Sequence, residues 1–471
     1  MKRAIVVMMF LTGIHHAALT AGMSDSLSTP GAVARRFREA GLRDCEAYDL
    51  LSQLTRNAGL RLSGSPGSEA AIRLTFSMMK KRGFDAVRVE SLMVPRWVRG
   101  PVEEALILKS GKRKAKSLAV CALGGSIGTP KGGITAAVVE VRSFDELRAL
   151  GDRAKGKIVF FNRPMDPTLL NTFEAYGGAV DQRGSGAVEA AKAGAVAALV
   201  RSVTLARDNV PHTGAMHYDA AVPKAPAAAV GTLDANLISA LLRKGENVVI
   251  RLRLSCETLP DAPSGNVLGQ ITGWEKPDEV IVVGGHLDSW DKGTGAHDDG
   301  SGCMQAIEVL NLFKKLNMRP RRTIRAVMFM NEENGNRGGK AYPKAPGRAH
   351  ERQIAAIESD AGGFAPRGLS VEADSLVFER VLRWRPLFAS LNAGDIVRGG
   401  SGVDIDPLVK GGTAGIGVIV ENHRYFDYHH SANDTIDKVN PRELEMGAIV
   451  QALLCYLISE EGLAVEPASG R

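Results

Sequence analysis

Histidine, aspartate and glutamate side chains recur in the second half of this 471-residue chain at positions where they could bind a metal ion. In chain order they are His286, Asp288, Asp298, Glu332, Glu333, Asp360 and the adjacent pair His429 and His430. Imidazole nitrogens and carboxylate oxygens are the ligands that zinc and similar divalent metals bind in proteins. These residue types therefore predict a metal centre, provided that the fold brings their side chains together.

Each of these positions also has an ordinary explanation when it is taken alone. Glutamate is usually exposed, so a pair such as Glu332 and Glu333 after a strand is most often a solvated turn. An aspartate beside a glycine usually lies in a turn or caps a helix. The metal centre is favoured because the candidates share one further property, which is their place at the ends of predicted strands or at a helix start.

The elements that must position these side chains form an α/β pattern. Residues 280–283 are apolar and β-branched without interruption, which is typical of a strand covered on both faces, as in a parallel sheet. Further strands are predicted at 266–271, 323–330, 355–358 and 417–420, and helices at 301–316, 338–344, 378–392 and 441–461. Open α/β sheets bind ligands at the carboxyl ends of their strands, so the candidates are predicted to lie along one edge of one sheet.

The first part of the chain differs from the block that follows it. Helices at 45–60 and 68–82 and a strand at 87–90 begin the α/β domain, whereas residues 100–255 are rich in Ala, Gly and Val. That block contains predicted strands at 137–141, 157–161 and 196–200 and helices at 186–193 and 233–244. Because it has few clustered titratable groups, His212 and His217 are interpreted as surface residues. We therefore expect an inserted non-catalytic domain at 100–255, within a catalytic domain formed by residues 23–99 and 256–471.

Charge and hydropathy patterns exclude some classes of protein and predict export. The formal net charge is +7, and the dispersed basic residues are not interleaved with aromatic ones, so nucleic-acid binding has no support. Residues 1–22 have a basic start, an apolar run and a stretch of small residues, which is the layout of a secretory signal peptide. No apolar run reaches the roughly 20 residues that span a membrane. We expect a secreted or periplasmic protein without a membrane span.

The five cysteines match no metal-binding spacing. Their odd number leaves at least one thiol free or paired between chains. Cys303 and Cys455 lie within apolar helical patterns and are expected to be buried and unreactive.

Five motifs, HLDSWD, GAHDDGSG, NEENG, ESDAGG and YHHSANDT, resemble in this order those of the M28 family of zinc exopeptidases. The resemblance covers nearly the whole chain after residue 22. It implies a mixed, mostly parallel sheet sandwiched by helices, with residues 100–255 as an inserted protease-associated domain. It also implies two Zn²⁺ ions per chain, a short peptide substrate and a homodimer.

The same resemblance implies a role for each candidate residue. Asp298 bridges both metals, His286 and Asp360 complete one site, and Glu333 and His430 complete the other. His430 is chosen over His429 because the family places the acid of the Asp434-Thr435 pair four positions after the ligand histidine. In the family the peptide after the bridging aspartate, here Asp298–Asp299, is often cis.

Two further residues are implied to act in catalysis. Glu332 is the general base for a metal-activated water nucleophile and then the general acid, while Asp288 supports His286. Asn331 and Asn334 flank the glutamate pair where related proteins often carry other residues. The loop at 398–404 resembles a substrate-side loop, but no residue in it is assigned to the pocket, and Arg398 is interpreted as solvated.

The resulting hypothesis is an exopeptidase that hydrolyses dipeptides or short unblocked peptides. A broad-specificity aminopeptidase acting on longer peptides is the alternative within the same chemistry. Glutaminyl cyclisation with one zinc ion, or a non-catalytic binding module, would belong to another class. The complete set of ligand residues argues against both of these.

Overall fold

The structure is a computed structural model that describes residues 29–108 and 114–463. The predicted signal peptide at residues 1–22 lies outside the described residues. In the two described ranges, every helix is too short or too polar to span a bilayer.

Helices and strands are numbered separately in chain order. The α-helices are α1 (Pro30–Asp44), α2 (Glu46–Ala58), α3 (Pro66–Lys81), α4 (Phe144–Leu150), α5 (Thr172–Gly177), α6 (Asp181–Lys192), α7 (Thr232–Arg243), α8 (Ser301–Lys315), α9 (Arg337–Ala341), α10 (Ser375–Arg383), α11 (Arg385–Ala389), α12 (Asp406–Val409), α13 (Tyr425–Tyr428) and α14 (Pro441–Glu461). The strands are β1 (Asp85–Val98), β2 (Glu103–Ile107), β3 (Lys116–Leu118), β4 (Val120–Ala122), β5 (Ile134–Val141), β6 (Ile158–Phe161), β7 (Ala197–Arg201), β8 (Ala227–Val230), β9 (Val249–Leu254), β10 (Glu257–Ile271), β11 (Lys276–His286), β12 (Arg322–Phe329), β13 (Arg352–Glu358), β14 (Pro366–Glu372), β15 (Asp395–Arg398) and β16 (Ala414–Val420).

The first sheet has the strand order β1-β10-β12-β11-β13-β16-β14-β15. Its centre, β12-β11-β13-β16, is parallel throughout. The pairs β1-β10, β10-β12 and β16-β14 are antiparallel, and β14-β15 is parallel. The predicted mixed sheet is thus confirmed. Because the four central strands run in one direction, their carboxyl ends meet at a single edge of the sheet.

Strand β11 shows why its sequence is apolar without alternation. Ile281 and Val283 face the core that contains α8 and α14, while Val280 and Val282 pack on the opposite face with Tyr342 and Leu408. Successive side chains of a strand point to opposite faces, so a strand covered on both faces needs apolar residues at every position. The final helix, α14, begins as the sequence predicts, with proline in its first turn and Asn440 accepting from the N–H groups of Arg442 and Glu443.

A second eight-stranded sheet has the order β3-β2-β9-β5-β6-β7-β8-β4 and contains a parallel run from β5 to β8. We call the part of the chain that builds it, Glu103 to Leu254, the second unit. Separate apolar clusters cover its two faces. These strands fall within the predicted block at 100–255. The exact domain boundaries, and the identification of this unit as a protease-associated domain, stay predictions.

Some predicted elements differ in extent from the observed ones. The short strands expected at 87–90 and 266–271 belong to β1 and β10, which run antiparallel from Asp85↔Gln270 to Val98↔Glu257. Prolines in both segments, such as Pro95 and Pro263, obscured the length of this ribbon. The single helix expected at 378–392 is wrong, because α10 ends at Arg383 and proline occupies the first turn of α11. Strands β14 and β15 had no distinctive sequence signal.

Candidate metal centre

The predicted ligands lie together at the carboxyl edge of the first sheet. His286 is the last residue of β11, Asp360 follows β13, and Glu333 follows β12. His430 lies in the loop after α13, and Asp298 lies in the turn before α8. The structure therefore brings together side chains from five separate segments of the chain.

Asp298 lies between two histidines. Its Oδ1 atom is 3.2 Å from Nε2 of His286, and its Oδ2 atom is 3.3 Å from Nε2 of His430. Each histidine also reaches a second carboxylate, since His286 Nε2 is 3.4 Å from Asp360 Oδ1 and His430 Nε2 is 3.0 Å from Glu333 Oε2. Two sets of ligands, each with one imidazole and one further carboxylate, therefore share Asp298.

The burial and the charge of these side chains are those expected of residues that bind cations. Asp298 Oδ2 and Asp360 Oδ1 are buried oxygens without a hydrogen-bond partner. Burial and the nearby Asp298 carboxylate raise the pKa of Glu333 well above its usual range. Burying several carboxylates together without donors is costly, and divalent cations would supply the missing positive charge. The donor set of two imidazoles and three carboxylates is also one that zinc accepts.

Two neighbouring residues are less suited to bind a metal. Asp299 lies close to His286 and Asp360, but its carboxylate already accepts from the backbone N–H groups of His286 and Gly302, at 3.2 and 2.9 Å. His429 stacks on His430 with ring centroids 3.5 Å apart, and its Nε2 atom is 3.8 Å from Asp298 Oδ2. The geometry thus favours Asp298 and His430. The Asp298–Asp299 peptide is cis.

Asp288 connects two parts of the site. Its backbone carbonyl accepts from Nδ1 of His286 at 2.9 Å, which leaves Nε2 as the nitrogen with a free lone pair. Its Oδ1 atom accepts from the N–H groups of Asn331 and Glu332, at 2.6 and 3.1 Å. Asp288 therefore contacts His286 through the main chain, and its side chain fixes the loop that carries Glu332.

Glu332 is partly exposed, as is Asp360. Burial, together with the carboxylates of Asp360 and Asp288, raises its pKa to about 8 despite the opposing effect of His286. Cations held by the neighbouring ligands would lower this value, since positive charge favours the carboxylate. A group that titrates near neutrality can both accept and donate a proton, as general acid–base catalysis requires.

Two positioning residues were missed by the sequence analysis. Asp434 was used there only for its spacing from His430. Its carboxylate accepts hydrogen bonds from the N–H groups of His297 and Asp298, at 2.7 and 3.1 Å. Arg61 is fully buried and donates to three backbone carbonyls of the loop after β11, those of Leu287, Thr294 and Gly295. No local pattern distinguishes either residue, because the contacts are made to backbone atoms far away in the chain.

A cleft with a volume of about 210 Å³ opens over the ligands. The second unit supplies part of its wall, with Phe173, Tyr176, Arg183 and Ala215. Arg183 lies over the ring of Tyr176, 5.5 Å from its centroid, and one of its Nη atoms is 3.4 Å from Nδ1 of His430. The block that was expected to be a non-catalytic domain therefore borders the candidate metal centre.

Other predicted side chains have mixed outcomes. His217 is exposed as expected, but the prediction for His212 is wrong, because this residue is buried and bonds to the carbonyl of His429. Arg398 is exposed and lies over the ring of Phe378. Cys303 and Cys455 are buried as predicted, and burial raises the pKa of each thiol.

Most of the chain is similar to known proteins. Residues 266–454 match the model of peptidase family M28. The carboxypeptidase Q of Bos taurus is 37% identical over 417 residues, which are 88% of this chain and 85% of that protein. The crystal structure of a peptidase M28 precursor from Shewanella amazonensis SB2B superposes with a TM-score of 0.88 at 32% identity, covering 94% of this chain and 99% of the other. A zinc aminopeptidase from Bacillus subtilis shares the fold, with a TM-score of 0.62 at 20% identity over 87% of this chain and 93% of the other.

Proposed function

The chain belongs to peptidase family M28, and from this premise we propose that it is a secreted or periplasmic di-zinc exopeptidase for dipeptides or short peptides with free termini. One observation carries the proposal, namely that the two oxygens of Asp298 face Nε2 atoms of two different histidines, at 3.2 and 3.3 Å. A shared carboxylate between two sets of ligands is what a pair of adjacent metal ions needs.

Five residues would hold the two zinc ions. They are His286 and Asp360 in one site, Glu333 and His430 in the other, and Asp298 in both. The three carboxylates offset most of the charge of two divalent ions. Zinc bound here would supply Lewis-acid chemistry, which lowers the pKa of water and polarises a peptide carbonyl.

Glu332 is the group of the chain that moves protons in this proposal. Its carboxylate takes a proton from the attacking water and passes it to the nitrogen of the leaving amine, so it is restored at the end of each cycle. Asp288 holds the N–H of Glu332 at 3.1 Å and thereby places this carboxyl group beside the ligands. Holding the reacting groups at fixed positions lowers the entropic cost of the reaction.

The cleft contains a cationic side chain that suits a substrate with a free carboxylate. Aromatic residues of the second unit, Phe173 and Tyr176, form one wall of the cleft, whose volume is about 210 Å³. The guanidinium of Arg183 is largely buried there, and its Nε atom has no hydrogen-bond partner. Arginine binds carboxylates through charge-assisted hydrogen bonds, so Arg183 is the group in this cleft suited to a substrate carboxylate.

The alternatives differ from this proposal in features of the same site. A broad aminopeptidase would need a cleft that admits longer chains. Glutaminyl cyclisation at a single zinc ion would leave one of the two ligand sets without a metal to bind. A non-catalytic module would not need Glu332, because the side chain of Glu332 makes no hydrogen bond within the described part of the chain.

The test is digestion of a dipeptide library by the zinc-loaded protein. We expect cleavage of free dipeptides and little cleavage of the same sequences with an acetylated amino terminus or an amidated carboxyl terminus. Efficient removal of residues from long peptides would favour the broad aminopeptidase, and release of pyroglutamate without peptide cleavage would favour the cyclase. Absence of any turnover with two zinc ions bound would contradict the enzymatic proposal.

Export and assembly are separate parts of the proposal. Export rests on the signal-like sequence at residues 1–22, and amino-terminal sequencing of protein recovered outside the cytoplasm should show a start near residues 18–23. A homodimer rests on the family resemblance alone. Light scattering coupled to gel filtration should give twice the mass of one chain.

A further inference from the structure

Four polar groups of the second unit donate hydrogen bonds to one loop of the catalytic edge. We call this loop, residues 422–430, the ligand loop because it ends at His430. The donors are Thr172 Oγ1 to the carbonyl of Asn422 (3.0 Å), Thr204 Oγ1 to Phe426 (2.6 Å), His212 Nδ1 to His429 (2.7 Å) and the N–H of Thr213 to His430 (2.9 Å). They are spread over the full length of the loop, so the second unit constrains its whole backbone.

The ligand loop needs such support at its end. His430 has a φ of 60°, in the left-handed region that a residue with a Cβ atom rarely adopts. The regular structure within the loop is only the four-residue helix α13. A strained conformation persists where the surroundings determine it, and here the flanking carbonyls of His429 and His430 are both bonded to the second unit.

Aromatic packing strengthens the same contact. Phe173 stacks on Tyr425 with ring centroids 5.4 Å apart and an interplanar angle of 17°, and Tyr176 stacks on Phe426 at 4.5 Å and 19°. Tyr425 and Phe426 are buried by this packing and by the first sheet. Offset stacking of this kind adds to the energy of burial, so the loop and the second unit form one packed structure.

His212 has no other evident task. A carbonyl oxygen can only accept, so Nδ1 of His212 carries the proton in the bond to His429. Burial lowers the pKa of His212 to about 4, which keeps the ring neutral, and its Nε2 atom has no partner. The side chain is thus a buried neutral donor that satisfies one carbonyl next to His430.

We propose that Thr204 and His212 are positioning residues that set the ligand loop so that His430 meets Glu333 and Asp298. This proposal rests on the proposed function, because it takes Glu333 and His430 to hold a metal ion. In this proposal the second unit helps to build the zinc site of Glu333 and His430. The zinc site of His286 and Asp360 does not need the second unit. His286 ends strand β11 and Asp360 follows strand β13, both in the first sheet. The hydrogen-bond partners of His286, which are Asp288 and Asp299, lie outside the second unit, so this site should not depend on Thr204 or His212.

The experiment compares zinc binding by three forms of the full chain. A Thr204→Val and His212→Leu double variant removes both donors. A Thr204→Ser and His212→Asn double variant keeps a donor at each position, since an asparagine amide lies close to where Nδ1 of histidine does. A Thr75→Val variant is the control, because Thr75 is equally buried but donates to a carbonyl within its own helix.

Zinc affinity is measured by competition with a chromophoric chelator, and bound zinc by mass spectrometry after dialysis. Loss of an outer hydrogen-bond partner commonly costs about 10–100-fold in metal affinity. We expect one of the two zinc ions to bind at least about 10-fold more weakly in the first variant, with the other unchanged, and near-parental binding in the second variant and the control. Hydrogen exchange of the ligand loop in the metal-free first variant should be faster than in the parent, which reports the loop without any metal.

Three results would overturn the proposal. The first is parental affinity for both zinc ions in the Thr204→Val and His212→Leu variant, and the second is equal weakening of both ions. The third is failure of the serine and asparagine variant to restore binding. If the double variant does not fold, the single Thr204→Val variant is used, which removes one hydroxyl with little change of shape. If the parent chain binds only one zinc ion, the proposed function fails as well. The number of zinc ions bound by the parent therefore distinguishes that failure from a failure of the present proposal alone.

Discussion

The carboxylate of Asp434 accepts a hydrogen bond from the backbone N–H of Asp298, at 3.1 Å. The same carboxylate accepts from the preceding N–H, that of His297, at 2.7 Å. The turn that presents the shared ligand is therefore fixed by an acid that lies 136 positions later in the chain. Because both ligand sets include Asp298, Asp434 influences both.

Replacement of Asp434 should weaken both zinc sites together. Asp434→Ala removes the acceptors for two buried N–H groups, so Asp298 loses its fixed orientation. We expect about a 10–100-fold loss of affinity for each zinc ion, as found when outer partners of metal ligands are removed. Chelator competition measures this effect. Asp437→Asn, at an exposed position of the same loop, is the control. Loss of one zinc ion only would show that Asp298 is not shared.

Glu332→Gln should abolish turnover without loss of metal. The amide keeps the size of the side chain but cannot accept a proton, and loss of a general base commonly costs about 10²–10⁴-fold in rate. We expect a fall of that size in kcat with zinc content near that of the parent. Glu379→Gln, at an exposed position in α10, is the control. Parental turnover of the Glu332→Gln variant would remove Glu332 as the base.

Arg183→Met should affect substrates according to their carboxyl terminus. If Arg183 binds the substrate carboxylate, the variant loses a charge-assisted hydrogen bond worth about 1.5–3 kcal/mol, which corresponds to roughly 10–100-fold in KM. A dipeptide with a free carboxylate should show this loss, whereas the same dipeptide as an amide should not. Arg153→Met, at an exposed position of the second unit, is the control. Equal losses for both substrates would indicate that Arg183 acts through His430 instead.

Glu308, which is not part of the metal centre, should make the free energy of unfolding depend on pH. This side chain is buried in α8, and burial together with the nearby Glu445 raises its pKa to about 8, against the effect of Asn311 and Lys315. Glu46 also faces it from α2. Because the folded-state pKa lies above the ordinary 4.5, the stabilisation from the protonated group is complete below pH 4.5 and is lost as the pH rises to about 8.

Glu308→Gln keeps the neutral form at every pH. The variant should therefore unfold at a higher temperature than the parent at pH 8.5, with a difference of roughly 1–3 kcal/mol in the free energy of unfolding, and should match it near pH 5. Thermal denaturation of the metal-free protein at both pH values measures this. Glu39→Gln, at an exposed position in α1, should show no difference at either pH. A Glu308→Gln variant less stable than the parent at pH 8.5 would contradict the account.

The candidate metal-binding residues could be predicted from the sequence because their signals are local, whereas the roles assigned to them came from the family resemblance. His286 and Asp360 each follow a short apolar run, and parallel strands place their carboxyl ends at one edge. Arg61, His212 and Asp434 could not be predicted, since each acts on backbone carbonyl or N–H groups of a distant segment. Any residue type can supply those backbone groups, so no sequence pattern marks the partner.

The two sheets show the same division between local and distant information. Strand β11 is apolar at successive positions because both of its faces are covered, and this was readable from residues 280–283 alone. The contact of the second unit with the ligand loop was not readable, because it joins threonines and one histidine to main-chain carbonyls over 200 residues away. The sequence therefore indicated a non-catalytic domain but not its contact with the site.

The most direct test of the central claim is the number of zinc ions bound per chain. The metal-free protein is loaded with zinc, dialysed, and analysed by mass spectrometry, alongside His286→Ala, His430→Ala and Asp298→Ala variants. The account predicts two ions in the parent, one in each histidine variant and neither retained tightly in the Asp298→Ala variant. A parent chain with a single ion, or an Asp298→Ala variant that keeps two, would contradict a shared carboxylate between two metal sites.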